Sequence, residues 1–169
     1  MTADEAALPR LTAERWLLSA LDTPSRARAR DEWGAQGITL LPLGEAFSAV
    51  RLPLPLVLAV TGGTGPGGAV DAALAAVLRG AVICDVEGRR YYALVAPGTA
   101  AAEVGHALKD GVAHLGSGTY LGVPRCDRTS YSATTRASYW SVPPSASRLC
   151  DAAIVARMTT TAVSAMGTP

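Results

Sequence analysis

Lysine is almost absent from this 169-residue sequence: of its 15 basic residues, only Lys109 is not an arginine. Charge is scarce altogether, at 17% of residues against 49% hydrophobic and a mean hydropathy of +0.23. The chain therefore has apolar surface for a core and too little charge for a disordered polymer. No apolar run is long enough to cross a bilayer. The nearest, Leu52 to Val60, spans nine residues and holds two prolines, against the roughly 20 that a spanning helix needs. Met1 to Glu5 carries two acids and no basic residue, so no secretory leader and no membrane partner are expected, and a cytoplasmic location is.

Signatures of common site chemistry are missing as well. Cys84, Cys126 and Cys150 lie 42 and 24 residues apart, which fits neither a disulfide framework nor a CxxC metal knuckle, so reduced thiols are expected. His106 and His114 lack an HxH or HExxH spacing, and neither GxSxG nor SxxK occurs. A formal net charge of +1 excludes a protein that coats nucleic acid through overall basicity, while leaving a local basic face open.

What is present predicts one α+β domain with a mixed or mainly antiparallel sheet and flanking helices. Its expected extent is residues 11–158, with flexible ends at 1–10 and 159–169. Helices are predicted at Leu11 to Leu21, with Thr12 as a cap, and at Ser25 to Trp33, closed by Gly34 and Gly37. Further helices are expected at Pro55 to Val60, Asp71 to Arg79 and Asp151 to Met158. Pro53 and Pro55 argue against a central strand over Phe47 to Val60. Strands are predicted at Ile38 to Leu43, Ala81 to Val86, Tyr91 to Val95, Gly118 to Val123 and Ser138 to Val142, in one sheet with helices on one side. The second and third of these would form a hairpin, and so would the last two.

Three constellations could carry chemistry. Gly63, Gly65 and Gly68 satisfy GxGxxG ahead of a helix, with Asp85 on the next strand, as in a dinucleotide-binding turn. A flexible loop is the plainer reading. Asp85 and Glu87, two apart on a strand, would share a face and could hold a divalent cation; a charged turn is the alternative. The third lies between Gly111 and Cys150, where four arginines oppose one acid, a local net of +3. There Arg125, Arg128 and Arg136 interleave with Tyr120, Tyr131, Tyr139 and Trp140, a composition that can grip phosphate and stack bases, or fill a core and solvate a loop.

Three stretches resemble the bifunctional DNA primase/polymerase N-terminal domain family, of the archaeo-eukaryotic primase class. They are Arg90-Tyr91-Tyr92-Ala93-Leu94-Val95-Ala96-Pro97-Gly98-Thr99, Leu115-Gly116-Ser117-Gly118-Thr119-Tyr120-Leu121-Gly122-Val123-Pro124 and Tyr139-Trp140-Ser141-Val142-Pro143-Pro144. The resemblance extends from about Arg15 to Arg157, and it implies a mixed sheet with helices. Active members carry acid, apolar, acid on an early strand, where this chain has Val50-Arg51-Leu52-Pro53. They carry a histidine where Arg89-Arg90 stand, and an acid where His114 stands. The resemblance thus implies the scaffold without catalytic or metal-binding residues.

The function expected is a stand-alone, inactive primase/polymerase-like domain that binds nucleotide or nucleic acid in an accessory or regulatory role. Its binding face would comprise Arg89, Arg90, Tyr120, Arg125, Arg128 and Arg136, with no cofactor. One alternative is a protein-interaction module, with a protein partner or as a homodimer. Another is a residual nucleotidyltransferase using Asp85 and Glu87 with Mg or Mn, and a dinucleotide-binding protein is a further one.

Overall fold

A computed structural model describes residues 3–98, 111–145 and 148–167. Helices α1 (Ala3–Leu18) and α2 (Thr23–Gln36) open the chain. Strands β1 (Ile38–Pro42) and β2 (Ser48–Pro53) precede α3 (Leu54–Thr61) and α4 (Gly68–Leu78). Then come β3 (Val82–Asp85), β4 (Arg90–Val95), β5 (Ala113–Leu115), β6 (Tyr120–Pro124), β7 (Tyr139–Val142) and α5 (Ala152–Met166). A five-stranded sheet has the order β5-β2-β4-β3-β7, and β1 pairs with β6 in a separate ribbon. Every ladder is antiparallel. The architecture is α+β with flanking helices, as expected, and among the described residues no helix is long and apolar enough to cross a membrane.

Helices lie on both faces of the large sheet rather than on one. Val50, Leu52, Tyr91, Val82, Cys84 and Tyr139 pack against α3, α4 and α5. Alternate positions Ala49, Ile83, Leu94 and Trp140 pack the other way, against α1, α2 and the β1-β6 ribbon. Period-2 alternation with apolar residues at both parities makes this a sheet covered twice.

Local chemistry fixes the helix ends. The Asp22 carboxylate accepts the Ser25 N–H at 2.9 Å to start α2, and Gly37 at φ 73 ends it by donating to the Trp33 carbonyl. Gly34 is passed without a break, because Trp33 is buried and its indole N–H donates to the Val123 carbonyl at 2.9 Å. Thr12 lies inside α1, where its hydroxyl donates to the Leu8 carbonyl, and α1 itself begins at Ala3.

Several expectations are corrected. Ser48–Pro53 is a strand between β4 and β5: Pro53 takes its last position and Pro55 the first turn of α3, where a missing N–H costs least. Gly118 to Val123 and Ser138 to Val142 do not form a hairpin, since β6 pairs with β1 and β7 with β3. Gly63 and Gly65 lie in the loop joining two helices, α3 and α4, and Gly68 opens α4; among the described residues no parallel βαβ unit surrounds this loop, which removes the basis for a dinucleotide site. The last helix runs on to Met166 through the stretch expected to fray. Asp151 caps it by accepting from Ala153 and Ile154, and Met158, Thr159 and Ala162 are buried against the sheet-facing core.

Candidate functional site

Arg89 and Arg90 occupy the tight end of the β3–β4 hairpin. Asp85 closes β3, and its carboxylate accepts the Gly88 N–H at 2.9 Å, holding the turn. A Cβ at Gly88 would lie 2.2 Å from the Asp85 carboxylate, so a larger residue here would push that carboxylate out of its place in the turn. Arg89 follows in the left-handed region at φ 53, a conformation that side-chain-bearing residues rarely adopt. Arg90 then enters β4 opposite both Asp85 on β3 and Pro53 on β2.

Register brings a third arginine to this place. Arg51 faces Tyr92 across the β2–β4 ladder, two positions from the Pro53–Arg90 pair. By alternation, Arg51 and Arg90 share the face opposite to buried Leu52 and Tyr91, as diagonal neighbours roughly 7–8 Å apart at their backbones. The Arg51 side chain donates to the Gly111 carbonyl at 3.4 Å. Among the described residues, neither Arg51, Arg89 nor Arg90 makes an ion pair. Arg136, itself at φ 51, reaches the same turn and lies 3.9 Å from the exposed Glu87 carboxylate.

The remaining candidates sit elsewhere. Arg125 donates to Asp127 at 2.6 Å, and Arg10 lies 3.5 Å from the same carboxylate. The Arg125 guanidinium holds the Asp127 carboxyl below its usual range. Arg128 packs its guanidinium onto Gly37, where an added Cβ would come within 2.1 Å of it. There it complements the negative C-terminal end of α2. Tyr120 is on the ribbon, opposite Pro42, at the end of the fold where the chain enters β2 through Ser48; Arg90 lies at the Pro53 end. Tyr131 rests against Gly67 and the Tyr139 ring, while Tyr139 and Trp140 are core residues.

Asp85 and Glu87 do not share a strand face. The strand ends at Asp85, whose side chain is folded into the turn, and Glu87 projects from that turn towards Arg136. His114 lies on β5 opposite Val50. No family model, no curated protein and no solved structure matches this chain. The primase resemblance accordingly stands on its motifs alone.

A buried polar cluster lies under α4. Asp71, in the first turn of that helix, accepts from the Tyr139 hydroxyl at 2.9 and 3.1 Å and from the Ser141 hydroxyl at 2.5 Å. Burial pushes the Asp71 carboxyl above its ordinary range, partly opposed by these two donors. Burial likewise pushes the Cys84 thiol up to about 12 and raises the Tyr91 and Tyr139 phenols. The thiol and the two phenols stay protonated at neutral pH, so the cluster clamps α4 to β7 and offers no nucleophile. Its partners lie 68 and 70 residues from Asp71, beyond the reach of any local motif.

Proposed function

We propose that this chain is a primase/polymerase-like domain that binds the phosphates of a nucleotide or nucleic acid without transferring nucleotides, in an accessory or regulatory role. One observation carries the reading: Arg51 and Arg90 lie side by side on one face of β2 and β4, next to Arg89, without carboxylate partners among the described residues. Guanidinium groups held on a sheet bind phosphate oxygens through paired N–H donors. The same segments are where the resembling family would carry metal-holding carboxylates and a histidine, and arginine cannot perform either task. Of Arg125, Arg128 and Arg136, only Arg136 contributes, since Arg125 and Arg128 serve Asp127 and the end of α2.

Mobility shift of single-stranded DNA at several salt concentrations tests this reading. Binding that weakens with salt, with a slope reduced by about one for each of Arg51→Ala and Arg90→Ala, supports it. Absence of binding at low salt refutes it, and primer extension in Mn²⁺ refutes the inactive assignment. A second reading, a protein-interaction module, is favoured by the outward ribbon face, where Leu40 is 63% and Tyr120 66% exposed. Large apolar side chains exposed together mark interaction surfaces.

A further inference from the structure

We infer that the open edge of β1 takes an extended segment of a partner protein as an added strand, seated in the groove between β1 and α2; this rests on the protein-interaction reading of the ribbon and does not depend on phosphate binding.

Register fixes which backbone groups are free. The Leu43 N–H donates to the Thr119 carbonyl and the Arg125 N–H to the Gly37 carbonyl, each at 2.9 Å, so hydrogen-bonded pairs flank the β1–β6 ladder at both ends. Alternation then turns the backbone groups of Thr39 and Leu41 towards β6 and those of Ile38 and Leu40 away from it. Among the described residues β1 has no neighbour besides β6, so the N–H and C=O groups of Ile38 and Leu40, with the C=O of Pro42, form an unpaired row. Such a row is a template for another strand.

A groove follows this edge. Its volume is about 450 Å³, and it is lined by Ser25, Arg28 and Ala29 of α2, Thr39 and Leu40 of β1 and Tyr120 of β6. Thr39 and Leu40 are consecutive and point to opposite faces of the ribbon, so a hollow that touches both wraps the strand's edge. Gly122 stands opposite Leu40 and puts no side chain beside it, which leaves Leu40 and Tyr120 as diagonal neighbours on the outer face. Main-chain bonds along an edge, with room for alternate side chains beside it, are how peptide-binding domains add a strand.

The walls define the occupant. Side chains of an added strand alternate between the Leu40–Tyr120 face, which is apolar, and the α2 side, where Arg28 is 84% exposed. Glu32 already accepts from the Thr39 hydroxyl at 2.5 Å and from the Arg28 Nε at 3.0 Å, which leaves the Nη groups of Arg28 for another carboxylate. The segment that fits therefore alternates apolar with acidic residues. A second copy's β1, Ile38-Thr39-Leu40-Leu41-Pro42, has no acid to meet Arg28, and its Pro42 has no N–H to donate.

Amide hydrogen exchange of the full chain, followed by NMR with and without a synthetic peptide of alternating valine and glutamate, tests the inference. In the free chain the Leu40 amide should exchange much faster than the Leu41 amide, and peptide at about ten times its Kd should slow it about tenfold. Leu40→Pro deletes an N–H that the β1–β6 pairing does not use, so the ribbon is kept, and peptide affinity should fall about fivefold or more. Arg28→Glu, at an exposed position, should instead prefer a peptide of alternating valine and lysine. A Leu40 amide as protected as that of Leu41 in the free chain, or an affinity unchanged in Leu40→Pro, overturns the edge assignment. A preference for glutamate that persists in Arg28→Glu overturns the acidic partner. Dimers in sedimentation that Leu40→Pro abolishes overturn the peptide in favour of a second copy and leave the interaction reading standing. A monomer that binds neither peptide overturns both.

Discussion

Replacing Asp71 by alanine removes the acceptor of two buried hydroxyl groups, those of Tyr139 and Ser141, which are 1% and 5% exposed. Each hydroxyl left without a partner costs about 1–3 kcal/mol. Losing a carboxylate from the first turn of α4 adds up to about 1 kcal/mol. A total of about 3 kcal/mol is expected, a large share of the roughly 5–15 kcal/mol that stabilises a typical domain. Asp71→Asn keeps a carbonyl oxygen with two lone pairs in the same place and should stay within about 1 kcal/mol of the parent. The pH dependence has a fixed sign. Burial raises the Asp71 pKa, so the folded chain keeps this proton to higher pH than the unfolded chain does. The resulting stabilisation is present below the unfolded carboxyl range and is lost as pH rises through the raised pKa. Relative to Asp71→Asn, the parent should therefore gain stability on acidification from neutral pH. Urea unfolding at matched pH values reads all three chains. An alanine variant that loses less than about 1 kcal/mol, or an asparagine variant as damaged as the alanine one, refutes the clamp.

Arg89→Gly should stabilise the fold by about 1 kcal/mol or less, because glycine tolerates the left-handed turn position, while weakening phosphate binding; a melting curve and the DNA titration check the two halves. Gly80→Ala should destabilise by several kcal/mol or prevent folding, since its Cβ would come within 2.3 Å of the Cys150 backbone nitrogen, and denaturant unfolding measures this. Cys84, Cys126 and Cys150 are buried with thiols raised to about 12 by burial, so a thiol reagent at pH 8 should label the native chain at none of them and the urea-unfolded chain at all three.

Parts of this fold written in neighbouring residues are legible in the sequence. The β3–β4 hairpin follows from two apolar runs flanking Glu87-Gly88-Arg89-Arg90, and Arg89 and Arg90 come with it. Features that depend on pairing between distant segments are not. Arg51 joins Arg90 only through the β2–β4 register, and the proline rule applied to the whole of Phe47 to Val60 hid that strand, although Pro53 sits harmlessly at its end. The C-terminal helix runs past Met158 because burial of Thr159 and Ala162 outweighs the weak helix preference of three successive threonines, whose hydroxyls bond back to the preceding turn.

The strand order β5-β2-β4-β3-β7 has a kinetic consequence. Among the described residues only β3 and β4 are joined by a tight turn, while β2 must find β4, β7 must find β3 and β1 must find β6 across long intervening stretches of chain. Each of these closures meets its entropy cost before the contacts that reward it, which places the domain among slow-folding topologies. The β3–β4 hairpin closes the shortest stretch of chain, so its pairing has the lowest closure cost and is expected to precede that of the remaining strands. Substitutions in that turn should act on the folding rate, and those in the edge strands β5 and β7 on the unfolding rate.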